Sequence, residues 1–443
     1  MKRLTVVVFI LSTLSLFCKK NIWGEVPLDI FLLAAGLNSN TSASPAPEPA
    51  PTWPVIQKDY DGTIFALAVH EDYIFAAGQE GDARRWRLEK IHKITGRLDE
   101  RFGTLGILIH TPDSTYPSGK ITSLFVDGNS LYIAGFESTG ILLLDKRWRI
   151  EKRDAITGDP DANFGLAGVI VSDPSSDWEK LTDIHISGNY MYAVGESRGE
   201  WRLEKRDKFT GRLVKSFGTN GIISVNIDSG QDIANSISSD ASHLYIAGIW
   251  ENPFRITNTD SWRIEKRDIL TGALDAGFGN GGVKDLPWGS LNQIIVHNGF
   301  IYAVGNEGNA ETYDYHWRLE KINASDGTPV SGFGTNGVII YNADSYPENI
   351  FSIAFSQGAI YLSGFTSENY NIWRIEKRDA TTGALNENFG TGGAAIPFPS
   401  DSIYNGIPYA MTLDAGHLYV GGVYKERWRI DKLDLTTGAA PTN

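Results

Sequence analysis

A tryptophan opens the same short motif, Trp-Arg-(Leu/Ile)-(Glu/Asp)-Lys, seven times along the chain, at Trp86, Trp148, Trp201, Trp262, Trp317, Trp373 and Trp428. Successive copies lie 62, 53, 61, 55, 56 and 55 residues apart. That period is too long for a helical solenoid unit and suits a four-stranded sheet with its loops. A residue present in every copy is expected to build the scaffold, so chemistry has to be sought in what is not repeated.

The sixth copy shows the unit. Ile350 to Phe355 is a mixed apolar stretch; the turn Ser356-Gln357-Gly358 leads to Ile360-Tyr361-Leu362-Ser363-Gly364, then Trp373 to Lys377, then Asp379 to Gly383 and Phe389-Gly390. Glycine-rich corners elsewhere lead into apolar runs such as Val338-Ile339-Ile340-Tyr341. Short β-branched and aromatic runs between Gly, Asn and Asp turns are the all-β pattern, and no segment sustains a 3.6-residue period. Within the motif, alternation sends Trp, Ile and Lys to one face of a strand and Arg and Glu to the other. The second face would carry a ring of ion pairs from Arg87 and Glu89 to Arg429 and Asp431, setting register more than adding stability, because desolvating two charges offsets their attraction. The Asp-x-x-Thr-Gly element (from Asp154 to Gly158 and from Asp207 to Gly211, for example) reads as a turn in which Asp accepts from amides two residues on and Gly supplies positive φ. The alternating oxygen ligands of a calcium loop are missing.

Seven such units predict an all-β fold, a seven-bladed β-propeller with four-stranded blades, whose radial repetition leaves only short protected edges. The last copy stops after Gly438, without the Phe-Gly corner and the strand beyond it. A spare apolar segment, Trp53 to Gln57, precedes the first copy and is expected to complete the last blade and close the ring. The corner Gly-x-Leu-Asp-x-x-Phe-Gly-x-x-Gly, at Gly96 to Gly106 and Gly272 to Gly282, followed by strands ending in Ala-Gly as at Ala134-Gly135, resembles the bacterial delta-60 repeat. The resemblance covers about residues 53 to 440. It implies a propeller of the PQQ-like repeat superfamily and lends little function. The Asp-x-x-Thr-Gly turn also looks like quinoprotein repeats, but the adjacent cysteine pair of many such dehydrogenases is absent and Phe-Gly stands where a docking tryptophan is expected. No cofactor is expected.

Lys2 and Arg3 followed by an apolar stretch from Leu4 to Phe17 read as an export signal over residues 1–18. Cys18 is the only cysteine, so neither an intramolecular disulfide nor a cysteine zinc site can form. Its place resembles the lipobox of bacterial lipoproteins, although Ser15-Leu16-Phe17 fits only a relaxed form; the alternatives are an ordinary signal peptide or an uncleaved anchor. The apolar patch from Val26 to Leu37 is shorter than the roughly 20 residues of a membrane span. With the small, proline-rich run from Asn38 to Thr52, it makes residues 19–52 a disordered tether and 53–443 the propeller. The expected location is the outer membrane or cell surface, with a periplasmic face as the alternative. A formal charge of −13 argues against a nucleic-acid partner.

Loops between blades, and loops joining second to third strands, vary in length and would emerge on one face; variable loops on a rigid scaffold are where binding resides. They carry Tyr116, Trp178, Trp250, Phe254, Trp288, Tyr313, Tyr315, Tyr346, Tyr370 and Tyr404, a set suited to a protein or glycan partner. The same residues could instead pack loop against loop. No catalytic signature and no metal-ligand spacing appears; the histidines, among them His70, His110, His185, His243, His297 and His417, are dispersed. The expectation is a monomeric binding or scaffold module at the bacterial envelope, without catalytic residues or metal. The alternative is a propeller enzyme (glycan lyase, hydrolase or lactonase) with an acidic or metal-assisted site on the axis, signalled by polar groups of different blades with perturbed pKa values.

Overall fold

The computed structural model describes residues 55–441 except 82–83, 113–117, 139–145, 173–177, 228–229, 252–259, 310–313, 343–346, 368–370 and 398–405. The export segment, Cys18, the tether and Trp53 lie outside the described residues. Among those described, every helix-or-strand element is a β-strand.

Each motif copy is the third strand of an antiparallel sheet. In the repeat of Trp201 the strands are Glu179–Ser187, Tyr190–Ser197, Glu200–Asp207 and Ile222–Val225, paired in that order. Five sheets have this four-stranded form, and a sixth of seven strands joins the first and last repeats. The joint is the strand Val55–His70. Its first part pairs with the last motif strand (Val55 with Asp431, Ile56 with Ile430, Gln57 with Arg429), and its second pairs with Tyr73–Glu80. The apolar segment before the first copy therefore does complete the last repeat. The first strand of every repeat neighbours that of the next, and the last neighbours the first.

The repeated residues lock one sheet to the next. Each motif tryptophan is buried. The indole of Trp86 donates to the Phe136 carbonyl at 3.0 Å, Trp201 to Ile249, Trp262 to Asn306 and Trp317 to Phe365, always in the following repeat. Trp428 donates to Gln79 of the first repeat at 2.8 Å, across the joint. The motif lysine repeats the pattern, as Lys205 donates to Ile269 O and Lys432 to Lys93 O. The Phe-Gly corner does so as well: Phe102, Phe164, Phe217, Phe278, Phe333 and Phe389 are fully buried, and the Gly103 amide donates to Thr157 O in the next Asp-x-x-Thr-Gly turn, with Gly390 and Thr437 repeating the bond. The turn itself forms as expected, Asp154 Oδ1 accepting from the Ile156 and Thr157 amides at 2.8 Å.

The opposite face carries the ion pairs. Arg202 Nε bonds Glu204 at 2.9 Å, and equivalent contacts join Arg149 to Glu151, Arg374 to Glu376 and Arg429 to Asp431. Four repeats add a second guanidinium two residues after the acid: Arg153, Arg206, Arg267 and Arg378 each bond that carboxylate and the glycine carbonyl of their own turn. Burial raises the Glu204 carboxyl, but Arg206 and Arg202 together bring it below its usual range. Asp431 and Glu320 each have one arginine, with Leu433 or Ile322 at the second place, and there burial prevails and the pKa is raised.

Candidate functional site

The first strands of all seven repeats line one cavity of about 490 Å³. Each carries a β-bulge at the same register, at Phe65, Thr122, Thr182, Asn235, Asn292, Phe351 and Tyr409. The bulge pushes a backbone carbonyl against the second strand, where only glycine fits. A Cβ on Gly135 would lie 2.0 Å from Lys120 O, one on Gly195 2.0 Å from Lys180 O, and one on Gly305 1.9 Å from Ser290 O. The Ala-Gly ending of the second strand is thus a packing requirement, and the bulge turns its own residue toward the axis.

Two arcs result. In repeats two to five the bulge side chains are polar and bond the next repeat: Thr122 Oγ1 donates to Leu181 O at 2.9 Å, Asn235 Nδ2 to Leu291 O at 2.8 Å and Asn292 Nδ2 to Ile350 O at 2.7 Å. The residues that follow accept from the next strand's amides, Gln293 from Ile353 and Asp183 from Ile237. Asp183 also accepts from Ser123, Ser236 and its neighbour Ile184. Burial raises its carboxyl to about 6 against the lowering by these donors. Burial likewise pushes His185, bonded to Ser239 at 2.9 Å, down to about 4. In repeats six, seven and one the bulge residues are aromatic, with Tyr409 centred 4.8 Å from Phe351 and 4.9 Å from Phe65.

One register earlier, toward the variable loops, stand Lys120 and Lys180. Lys120 Nζ lies 3.4 Å from the Phe65 ring centroid. Burial, then repulsion from Lys180 and Lys146, depress its pKa to about 7, and its remaining surface faces the cavity. Lys146 is lowered by burial and by Lys180 and Arg84, and its ammonium lies 3.9 Å from the Trp178 ring centroid. Among the described residues, none of these three lysines makes an ion pair.

Of the aromatic residues expected to bind, Trp178 is exposed on its loop. Trp250, Trp288 and Tyr315 lie on strands, not on loops as expected, in His243–Glu251, Val283–Trp288 and Asp314–Asn323, because pairing extends past the predicted ends. Tyr116, Phe254, Tyr313, Tyr346, Tyr370 and Tyr404 lie outside the described residues. Sequence reading missed the axial residues: they share no residue type, and their only signal is the glycine opposite each bulge. No group of three His, Cys, Asp or Glu residues that could hold a metal occurs among the described residues.

No protein-family model and no curated protein matches the chain. Among solved structures, Drosophila Semaphorin 2a aligns with a TM-score of 0.50 at 10% identity, over 88% of this chain and 76% of that one. The polysaccharide lyase Uly1 aligns at 0.43 and 12% identity, over 84% and 90%. A chain of the Nidogen/Laminin complex aligns at 0.34 and 13% identity, over 64% and 86%. The chain has a β-propeller fold. Likeness at such identities extends to fold alone.

Proposed function

We propose that the protein is a seven-bladed propeller of delta-60 type, exported and anchored at the bacterial envelope through a lipid on Cys18, that binds a protein or glycan with its variable-loop face. The closed succession of first strands and the joint made by Val55–Gln57 support the blade count. The binding reading rests chiefly on Trp178, which is exposed and whose ring covers the Lys146 ammonium. A flat apolar surface backed by a cation is a ready contact for a partner.

The enzyme alternative draws on Asp183, an axial carboxyl raised to about 6. Both of its oxygens, however, already accept two bonds each from Ser123, Ser236 and the amides of Ile184 and Ile237. A group so occupied holds strands together and has little freedom to exchange protons with a substrate.

Glycan arrays and cross-linking to envelope fractions test the binding reading with full-length protein. Trp178→Ala is expected to lower capture of the selected ligand about tenfold with no change in melting temperature. Equal capture by wild type and variant would overturn the assignment of this face. Palmitate labelling of wild type but not of Cys18→Ala is expected; equal labelling would sink the anchor.

A further inference from the structure

The chain carries a formal charge of −13, yet Lys120, Lys146 and Lys180 gather beside the axial cavity without an ion pair among the described residues. Placing like charges together at a partly desolvated site is unfavourable unless an anion offsets them. Among the described residues, the acids that act on these lysines form no ion pair with them. Glu179 accepts from Ser197 at 2.9 Å, and Glu196 acts on Lys180 and Lys146 without reaching bonding range. Thr122 spends its hydroxyl hydrogen on Leu181 O, Asn235 gives one amide hydrogen to Leu291 O, and Asn292 gives both of its own to Asn349 Oδ1 and Ile350 O. Beyond Lys120 and Lys180, no lysine or arginine occurs among the described lining residues, and the one carboxylate there, Asp183, is occupied by four donors. Donors for an anion come from Lys120 and Lys180, and the wall next to Lys120 is the ring pair Phe65 and Tyr409, 4.9 Å apart. A volume of about 490 Å³ falls within the range of small-molecule sites.

We infer that the axial cavity binds a small organic carboxylate with an apolar body, its charged head held by Lys120 and Lys180 and its body set against Phe65 and Tyr409. Lys146, under the Trp178 ring, borders this site, but the carboxylate is held by Lys120 and Lys180 and the proposal does not depend on the Trp178 reading. A neutral amide of the same shape lacks the head's charge and leaves the lysines uncompensated. Binding weakens as Lys120 loses its proton, since its ammonium titrates near 7 while a carboxylate ligand stays ionised. Among the described residues, the other charged groups acting at this end are Lys180, Lys146, Arg84, Glu179 and Glu196. Deeper in the cavity Asp183 titrates near 6 and His185 near 4.

The test uses full-length protein with 3-phenylpropionate and its neutral amide in calorimetric titrations at pH 6.5 and 8.5. The carboxylate is expected to bind at least tenfold more tightly than the amide at pH 6.5, and to lose about tenfold in affinity by pH 8.5. Lys120→Gln and Lys180→Gln should each cost about tenfold, with Lys215→Gln, exposed and remote from the cavity lining, as the unchanged control. Lys120→Arg, which keeps the charge, should bind the carboxylate equally at both pH values. In the wild type, an amine-acylating reagent at pH 7 should modify Lys120 ahead of Lys215 and be blocked by the carboxylate but not by the amide. Failure of the carboxylate to bind at millimolar concentration, equal binding of the amide, or a pH step that survives in Lys120→Gln would overturn the site.

Discussion

The two arcs around the axis solve one problem with different forces. From repeat two to repeat five, neighbouring first strands are stitched by directional hydrogen bonds centred on Asp183. From repeat six through seven to one they are joined by the stack Phe351, Tyr409 and Phe65. The aromatic arc contains the joint at which the two ends of the chain meet. Hydrogen bonds demand tenths of an ångström and fixed angles, whereas ring packing accepts a range of tilts. The molecule uses the tolerant contact where two separately made edges must be brought into register.

The sharpest way to break this comparison is Asp183→Ala, which strands the buried donors of Ser123, Ser236 and Ile237. At about 1–3 kcal/mol for each unsatisfied buried group, a loss of about 3 kcal/mol or more is expected in denaturant unfolding. A loss below about 1 kcal/mol would mean that the polar arc is not held through this residue. Tyr409→Ala, which removes a half-buried ring, should cost about 2 kcal/mol, while Tyr409→Leu, which keeps apolar bulk, should recover much of it. A directional arc would not permit such a rescue.

The pH dependence separates the arcs further. The Asp183 carboxyl titrates near 6 when folded, above its unfolded value near 3.8, so the folded state takes up its proton first as pH falls. This group therefore adds stability between about pH 6 and pH 4 and opposes folding when ionised above pH 6. Asp183→Asn should remove that contribution, seen as a reduced difference between unfolding free energies at pH 7 and pH 5; an unchanged difference would assign the titration elsewhere. The smallest effect is expected for Thr122→Val, which loses one bond to Leu181 O, at about 1 kcal/mol. Combined with Tyr409→Leu it should be additive within about 0.5 kcal/mol, since the arcs share no partner.

What the sequence made legible follows from what the repeat must do seven times. Trp, Lys, Phe-Gly and the Asp turn each bond the neighbouring sheet, so identity at these positions is forced, and the strand order and the closing segment could be read from them. The Arg and Glu alternation was legible too, although the second arginine at Arg206 and its replacement by Leu433 acquire meaning only once both are seen against one carboxylate. The axial residues escaped because their position is set by backbone. A bulge places Thr122, Asn235 or Tyr409 equally well, and its only trace is Gly135, Gly248 or Gly422 on the paired strand. Trp250 and Tyr315 lie on strands that run past the apolar pattern, which by itself ends before them.

The joint at Val55–Gln57 also bears on how this chain behaves in company. Trp428 and Gln79, which meet across it, are separated by 349 residues, so the ring can close only after both ends have been made, and loop closure over such a span is slow. Until then Arg427–Asp434 is an open sheet edge whose complement is a short strand carried by every copy of the chain. A second molecule's strand fits that edge as well as its own does. Refolding at high concentration is therefore expected to yield strand-exchanged dimers, which dilution before refolding suppresses.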